Sequence, residues 1–269
     1  MSSDLQATVR NYPLWYHTLD LGSGVVTPGW FDLRPIVDRL PWPDVQGKRC
    51  LDVGTYDGFL AFELERRGAS EVVATDISDH TQWDWPVDVR AQGPEFLAQI
   101  AGPEKGGGFR IAKEALGSSV ERLELSVYDL SPERVGTFDV VVCGSLMLHL
   151  RDPLRAMAAI RSVCSDRFMS IEAIDLPLTA AHPRRPVQRI NGVGGLVHWT
   201  LPNVEGHKQM VRASGFVIER ATGAYTEPYG PSHPAHPSGI AARARDVLQY
   251  VMTRGRGVPH AAVLSRVSA

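Results

Sequence analysis

The sequence predicts an α/β protein built on a doubly wound, mostly parallel sheet. Three observations carry this expectation. An apolar run from Lys48 to Val53 passes through the turn Gly54-Thr55-Tyr56-Asp57-Gly58 into an amphipathic segment, the order strand, glycine turn, helix. A second apolar run, Glu71 to Thr75, ends on an acid, Asp76. A third, Phe138 to Cys143, is nearly all valine, as a strand buried on both faces should be.

The elements follow in order. Residues 1–44 form an arm rich in aromatics (Tyr12, Trp15, Tyr16, Trp30, Phe31, Trp42), broken by Gly22, Gly24, Pro28 and Gly29 and carrying a short helix over Asp32 to Leu40. Such an arm either covers a bound cofactor or simply packs on the domain. Residues 45–269 form the main domain. In the strand Lys48 to Val53, Leu51 and Val53 point inward. Gly54 permits a tight turn close to a ligand, and Gly58 does the same where the helix Phe59 to Arg67 begins. Leu60 and Leu64 lie one turn apart on that helix, and Gly68 stops it. After Asp76 comes a segment with Trp83, Trp85 and Pro86, then a polar, glycine-rich loop through Gly108.

Phe109 to Gly117 reads as a helix and Leu123 to Tyr128 as a strand ending in Asp129. Asp152 caps a helix with Pro153 at its first position. Phe168 to Ile174 and Phe216 to Ala221 read as strands, Val204 to Ser214 and Ile240 to Thr253 as helices, and Ala261 to Val267 as the final strand. Two insertions, about 176–202 and 223–258, are expected as lids over the carboxyl edge of the sheet, where ligands bind in this architecture.

Composition sets the bounds. The chain has 269 residues, 43% of them hydrophobic, enough for one large domain or one domain with insertions. A formal net charge of -2 shows no basic bias of the kind nucleic acid demands. Cys50, Cys143 and Cys164 are scattered, so no disulfide framework is expected and a cytoplasmic setting follows. Met1 to His17 lacks a hydrophobic signal core, and no apolar run is long enough to span a bilayer.

The first turn defines the ligand. Tyr56 stands where a dinucleotide fingerprint would have its middle glycine, which crowds a pyrophosphate, and Asp52 would repel one. An acid at Asp52 suits a cationic ligand, such as the ammonium and sulfonium of S-adenosylmethionine. Asp76, at the end of the second strand, can accept both hydroxyls of a ribose. The competing reading is a purely structural strand–turn–helix unit.

Asp52-Val53-Gly54, Asp76 and Asp129, each at the end of a successive strand, resemble the class I S-adenosylmethionine-dependent methyltransferases over about residues 47–222 and the last strand. The resemblance implies a seven-stranded, Rossmann-like sheet whose last strand is antiparallel. A narrower resemblance, to the tRNA wobble-uridine 5-oxyacetate methyltransferase-like group, rests on Phe138-Asp139-Val140-Val141, Leu146 to Leu154 and Trp199-Thr200-Leu201-Pro202-Asn203, with the Gly54 to Gly58 turn and Trp83 to Pro86. The chain lacks that group's additional N-terminal region. In Gly29-Trp30-Phe31-Asp32 an acid falls about where the group has its lysine for carboxy-S-adenosylmethionine, and Leu148 replaces its tyrosine. Ordinary S-adenosylmethionine and a smaller acceptor are therefore expected.

By this resemblance the cofactor contacts are Asp52, Gly54, Tyr56, Gly58, Asp76, Ile77, Asp129, Leu130, Cys143 and Gly144. Asp129 and the Leu130 backbone would meet the adenine; alternatively Asp129 is a turn residue before Pro132. His149, just past the fourth strand, is the candidate general base for an acceptor hydroxyl, or else a buried structural histidine near Asp152. Trp30, Arg184, Arg185 and Trp199 are candidate acceptor contacts, the arginines, with Arg189, suiting a carboxylate or phosphate or lying in a solvated loop.

His233-Pro-Ala-His236 and the set Asp79, His80, Asp84 and Asp88 lack metal-ligand spacing, and no metal is expected. The function expected is O-methylation of a small polar acceptor, a saccharide or specialised metabolite. A tRNA-modifying methyltransferase and a non-catalytic cofactor-binding protein are the alternatives. A homo-oligomer is left open.

Overall fold

A computed structural model of the chain describes residues 2–102, 105–234 and 240–268. Its strands are β1 (Arg49–Val53), β2 (Glu71–Asp76), β3 (Glu121–Glu124), β4 (Phe138–Gly144), β5 (Cys164–Ala173), β6 (Gln188–Ile190), β7 (Thr200–Pro202), β8 (Phe216–Ala221), β9 (Tyr225–Pro228) and β10 (Gly257–Val267). The main sheet runs β3-β2-β1-β4-β5-β10-β8, and β9 pairs with the first residues of β10. β10 is antiparallel to both β5 and β8, while β1, β2, β3, β4 and β5 run parallel to one another. The doubly wound sheet with an antiparallel last strand is therefore present, enlarged by β9.

Alternation along the strands builds the two faces. On β4, Val140 and Val142 face one core and Val141 and Cys143 the other, so the all-valine run is buried from both sides. Asp52 of β1 pairs across to Ala74 and Val142. The first core contains α2 (Phe59–Arg66) and α5 (Gly107–Leu116). The second contains α7 (Pro153–Val163) and α9 (Val204–Ala213). Asp152 caps α7 by accepting from the Arg155 N–H, with Pro153 at the first helical position.

Several segments differ from expectation for identifiable reasons. The arm opens with a helix, Ser2–Asn11, and is part of the first core through Val9, Trp15, Leu19, Val25 and Phe31. The expected helix over Asp32 to Leu40 is only a 3-10 turn, Val37–Arg39, because Pro35 keeps Arg34 out of helical conformation. The glycine-rich stretch after Trp85 contains two short helices, Val87–Arg90 and Pro94–Ala101, held by a satellite core of Trp85, Val89, Leu97 and Ala101. β3 ends before Leu125: the Ser126 hydroxyl accepts from the Tyr128 N–H and starts a 3-10 turn, Val127–Asp129.

The first insertion carries the helix Leu176–Ala181 and the small antiparallel sheet β6–β7. Fully buried Asn203 staples it to α9: its amide nitrogen donates to the His182 and Arg185 carbonyls, and its oxygen accepts from Val187 and Gly206. Residues 235–239, including His236, lie outside the described residues.

Gly58 closes the turn with φ +98°, and a Cβ there would lie 2.4 Å from Phe62 and 2.8 Å from Phe109. Both the backbone and the packed rings resist a side chain. Gly58→Ala is expected to lower stability by about 2–4 kcal/mol, read as an earlier midpoint in urea unfolding.

Candidate functional site

The carboxyl ends of β1, β2 and β4 open into a cavity of about 310 Å³. It is walled also by the arm, the Trp83–Trp85 segment and Glu227 of β9. Three acids of the first two strands and their turn organise it, each differently.

Asp57, 2% exposed, holds the arm in place. Its Oδ2 accepts from the backbone N–H of Tyr16 and of His17, both at 2.8 Å, and its Oδ1 meets His17 Nδ1. Burial lowers the His17 pKa, but the charge and hydrogen bond of Asp57 outweigh that and leave it raised. The imidazolium therefore persists above the ordinary histidine range.

Asp76 fixes the turn itself. Its Oδ2 accepts from Tyr56 N–H at 2.7 Å and its Oδ1 from Ile77 N–H at 2.7 Å, with Lys105 Nζ 3.4 Å away. The first of these bonds holds Tyr56 at φ +52°. A carboxylate has about four lone-pair sites; the two backbone bonds leave two for a ribose diol, which would take both only by displacing the more distant Lys105. The Lys105 ammonium also lies over the rings of Tyr56 and Trp83.

Asp52, 1% exposed, lines the cavity, and its Oδ2 has no hydrogen-bond partner among the described residues. Burial pushes its pKa up to about 7. A buried acceptor without a donor is costly, and a cationic ligand is the group that would satisfy it.

The cavity gathers Asp52, Gly54, Tyr56, Asp76, Ile77, Gly144, His149 and Trp30 of the predicted residues. The others lie elsewhere. Gly58 is buried behind the turn as the cap of α2. Cys143 points into the second core. The capped turn after β3 leaves Asp129 exposed beside Arg134 and Leu130 buried in the core, and Ser126 and Val127 line the cavity in their stead. Arg184 and Arg185 are exposed outside the cavity, and Arg189 pairs with Asp175. Trp199 supports the wall from behind, its indole N–H donating to the Asp84 carbonyl, while Val197 reaches the cavity.

His149 sits in a 3-10 turn, Met147–His149, at the mouth. Its Nδ1 lies 3.2 Å from the Val197 carbonyl. A carbonyl only accepts, so Nδ1 carries the proton and Nε2 is a lone pair without a partner among the described residues. Desolvation by the surrounding wall, with the nearby Lys105 charge, holds the ring below the ordinary histidine value, and the Val197 bond opposes this.

Residues with no assigned role from the sequence complete the site: Tyr16, His17, Asp57, Lys105, Ser126, Ser145 and Glu227. Asp57 stood in the turn as a signal; its partner stood 40 residues away. Among the described residues, no group of three or more His, Cys, Asp or Glu is placed to hold a metal ion, and no helix is long and apolar enough to cross a membrane.

Loss of the His17 charge removes a stabilising contact. With the folded pKa raised above the ordinary 6.5, that contribution is complete below about pH 6.5 and fades as pH rises through the folded value. The Tm gap between wild type and His17→Gln should be largest at pH 5.5–6.5 and shrink toward pH 9; a gap that widens with pH contradicts the charged pair.

Comparison with known proteins agrees with this geometry. A family model described as a methyltransferase domain matches residues 32–220. The ubiquinone biosynthesis O-methyltransferase of Acinetobacter baylyi is 27% identical over 130 residues, 46% of this chain and 44% of that protein. The enzyme of the same name from Paracidovorax citrulli is 30% identical over 142 residues, 48% and 50% of the two chains. The chain thus spans about half the length of the curated relatives it matches.

Among solved structures, the N-terminal domain of EvdMO1 with S-adenosylhomocysteine bound aligns over 100% of this chain and 98% of its own, with a TM-score of 0.53 and 13% identity. The 1,6-didemethyltoxoflavin-N1-methyltransferase of Burkholderia thailandensis aligns over 88% and 78%, with a TM-score of 0.53 and 13% identity. At such identities the likeness shows the fold. The family match covers well over half of the sequence, and it contains the glycine turn, both acids that flank it and the fourth strand: the chain belongs to the methyltransferase domain family.

Proposed function

We propose that the protein uses S-adenosylmethionine to methylate a hydroxyl of a small polar acceptor. The observation that carries this reading is one cavity holding three things. These are a carboxylate able to take a ribose diol (Asp76), an unpartnered buried acid suited to a cation (Asp52), and an imidazole lone pair (His149 Nε2).

The residues present fit the cofactor. Asp76 would receive the ribose hydroxyls, Asp52 would face the positive end, and Ser126 and Val127 would border the adenine. Gly54 keeps the approach open: a Cβ there would already meet Leu146 at 3.1 Å. The bound cofactor supplies an electrophilic methyl group on a sulfonium. What remains for the chain is to align the acceptor oxygen for in-line attack, which supplies much of the rate, to exclude water, and to remove one proton. His149 Nε2 takes that proton, and the Val197 carbonyl holds the ring in the tautomer that allows it. Its lowered pKa keeps it unprotonated and ready at neutral pH. The relatives named for O-methyltransfer agree with an oxygen acceptor. Arg184 and Arg185 lie away from the cavity, so no observation favours the tRNA reading over a small acceptor.

The test is direct. His149→Ala should bind S-adenosylhomocysteine within about twofold of wild type, by calorimetry, and lose on the order of 10²–10⁴ in kcat. Because the folded pKa lies below 6.5, wild-type kcat should be level from pH 7 to 8.5 and fall only on the acid side of 6.5. Unchanged turnover in the variant removes His149 from the reaction.

A further inference from the structure

One end of the cavity has a chemistry that the cofactor does not use. It lies toward β5, β9 and β10, with β1 and β4 between it and β2; at strand spacing β5 and Asp76 of β2 are about 14 Å apart. Tyr16, Trp30, Ser145, Ile171 and Glu227 line it.

Glu227 is 5% exposed. Strand β9 sets Glu227 opposite Val258 and Tyr225 opposite His260 of β10. His260 Nδ1 donates to the Val258 carbonyl at 2.9 Å, which directs Nε2 to Ser145 Oγ at 2.8 Å and Glu227 Oε2 at 3.4 Å. Ser145 is itself constrained: its φ is +51°, rare for a residue with a side chain, and its N–H is tied to the Ile171 carbonyl at 2.8 Å. In the neutral ring Nε2 then accepts from the Ser145 hydroxyl, and a carboxylate and a hydroxyl stand side by side in the wall around His260, with carboxylate lone pairs left for a ligand. Tyr16 and Trp30, which line the same cavity, present rings tilted to one another with centroids 6.1 Å apart. Among the described residues that line the cavity, the cations are His17, held by Asp57, and Lys105, held at Asp76. Neither is free to balance a second anion; Asp57 lies near, and burial, with the neighbouring Glu227 charge, pushes the Glu172 carboxyl up to about 8, so a further negative charge is disfavoured here.

We propose that Glu227 anchors the methyl acceptor, and that the acceptor is a neutral or cationic saccharide ring donating hydroxyl protons to Glu227 while its apolar face rests on Tyr16 and Trp30. Ser145 and His260 position the carboxylate. The proposal rests on the reading of this cavity as a cofactor-and-acceptor site. It also makes the arginines of the first insertion irrelevant to recognition, since an anionic acceptor would meet the Glu227 carboxylate with no unpaired cation among the described lining residues to balance it.

The test uses the full chain loaded with S-adenosylhomocysteine and three probes on one skeleton: methyl glucoside, glucosamine and glucuronate, followed by ligand-observed NMR titration. Methyl glucoside and glucosamine should bind, and glucuronate at least tenfold more weakly. Glu227→Gln should weaken methyl glucoside at least tenfold while the S-adenosylhomocysteine Kd stays within twofold. Ser145→Ala, which keeps the carboxylate, should weaken it less, by a few fold, and serves should Glu227→Gln not fold. Glucuronate binding as well as the glucoside, no probe binding to the loaded protein, or equal loss of the cofactor product in Glu227→Gln each overturns the proposal. A wild-type chain that does not bind S-adenosylhomocysteine overturns the cofactor reading itself, and this inference with it.

Discussion

The buried Asp57 carboxylate is the contact on which the site depends. It accepts two backbone N–H groups and an imidazole from the arm, three bonds from a segment that the sheet alone would not hold. Charge-assisted bonds of this kind are each worth about 1.5–3 kcal/mol; apolar burial of Trp15, Leu19 and Phe31 in the first core adds to this, but that burial is non-directional, and the Asp57 bonds fix where the arm lies. The consequence runs further than His17. The arm doubles back, with Thr18 N–H on the Phe31 carbonyl and Phe31 N–H on that of Tyr16. Asp32 N–H then bonds to Pro228 and Gly230 N–H to Trp30. One acid in the first turn thereby helps set the register of the arm against β9, and so brings Tyr16 and Trp30 into the same cavity as Glu227.

The same turn is flanked by two acids in contrary states. Asp76 has both oxygens engaged by backbone N–H groups that shape the turn. Asp52, one strand away, is buried with an oxygen left unmatched and its pKa driven up to about 7. A fold selected for stability alone would not retain the second arrangement, because an unmatched buried acceptor costs about 1–3 kcal/mol. Such a group persists where a ligand completes it. The neighbouring strain at Tyr56 and Ser145, both with left-handed φ, falls at the same cavity, and backbone strain concentrates where function overrides local preference.

The frame of the sheet was legible because its strands are short, apolar and bounded by glycine or acid, so few registers compete. Phe216 to Ala221 was located to the residue, and β1, β2 and β4 to within one. What was not legible depends on distance along the chain or on a single cap. Asp129 reads as the end of a strand until the Ser126 hydroxyl is seen to start a 3-10 turn three residues earlier, which turns Asp129 outward. His17 looks like one polar residue among aromatics until a partner 40 residues on is placed beside it. β9, Tyr-Thr-Glu-Pro, has neither the length nor the apolarity of a strand; only pairing with β10 makes it one. Glu227 was invisible for that reason.

The division between legible and hidden residues follows the chemistry. Cofactor contacts come from strand ends and the turns that follow them, close in sequence, because a common ligand is met by a common local geometry. The proposed contacts to the acceptor would come from segments that no local pattern joins: the arm, the turn after β4, and β9. Their association depends on long-range bonds such as those from Asp57 and His260, which can be rewired without disturbing the parallel strands. That is why family membership is plain from the first turn while the acceptor is written in the arm and the last hairpin. Those segments gather a carboxylate, a hydroxyl and two aromatic rings, with no unpaired cation among the described lining residues, and such a wall would favour a hydroxylated, non-anionic partner.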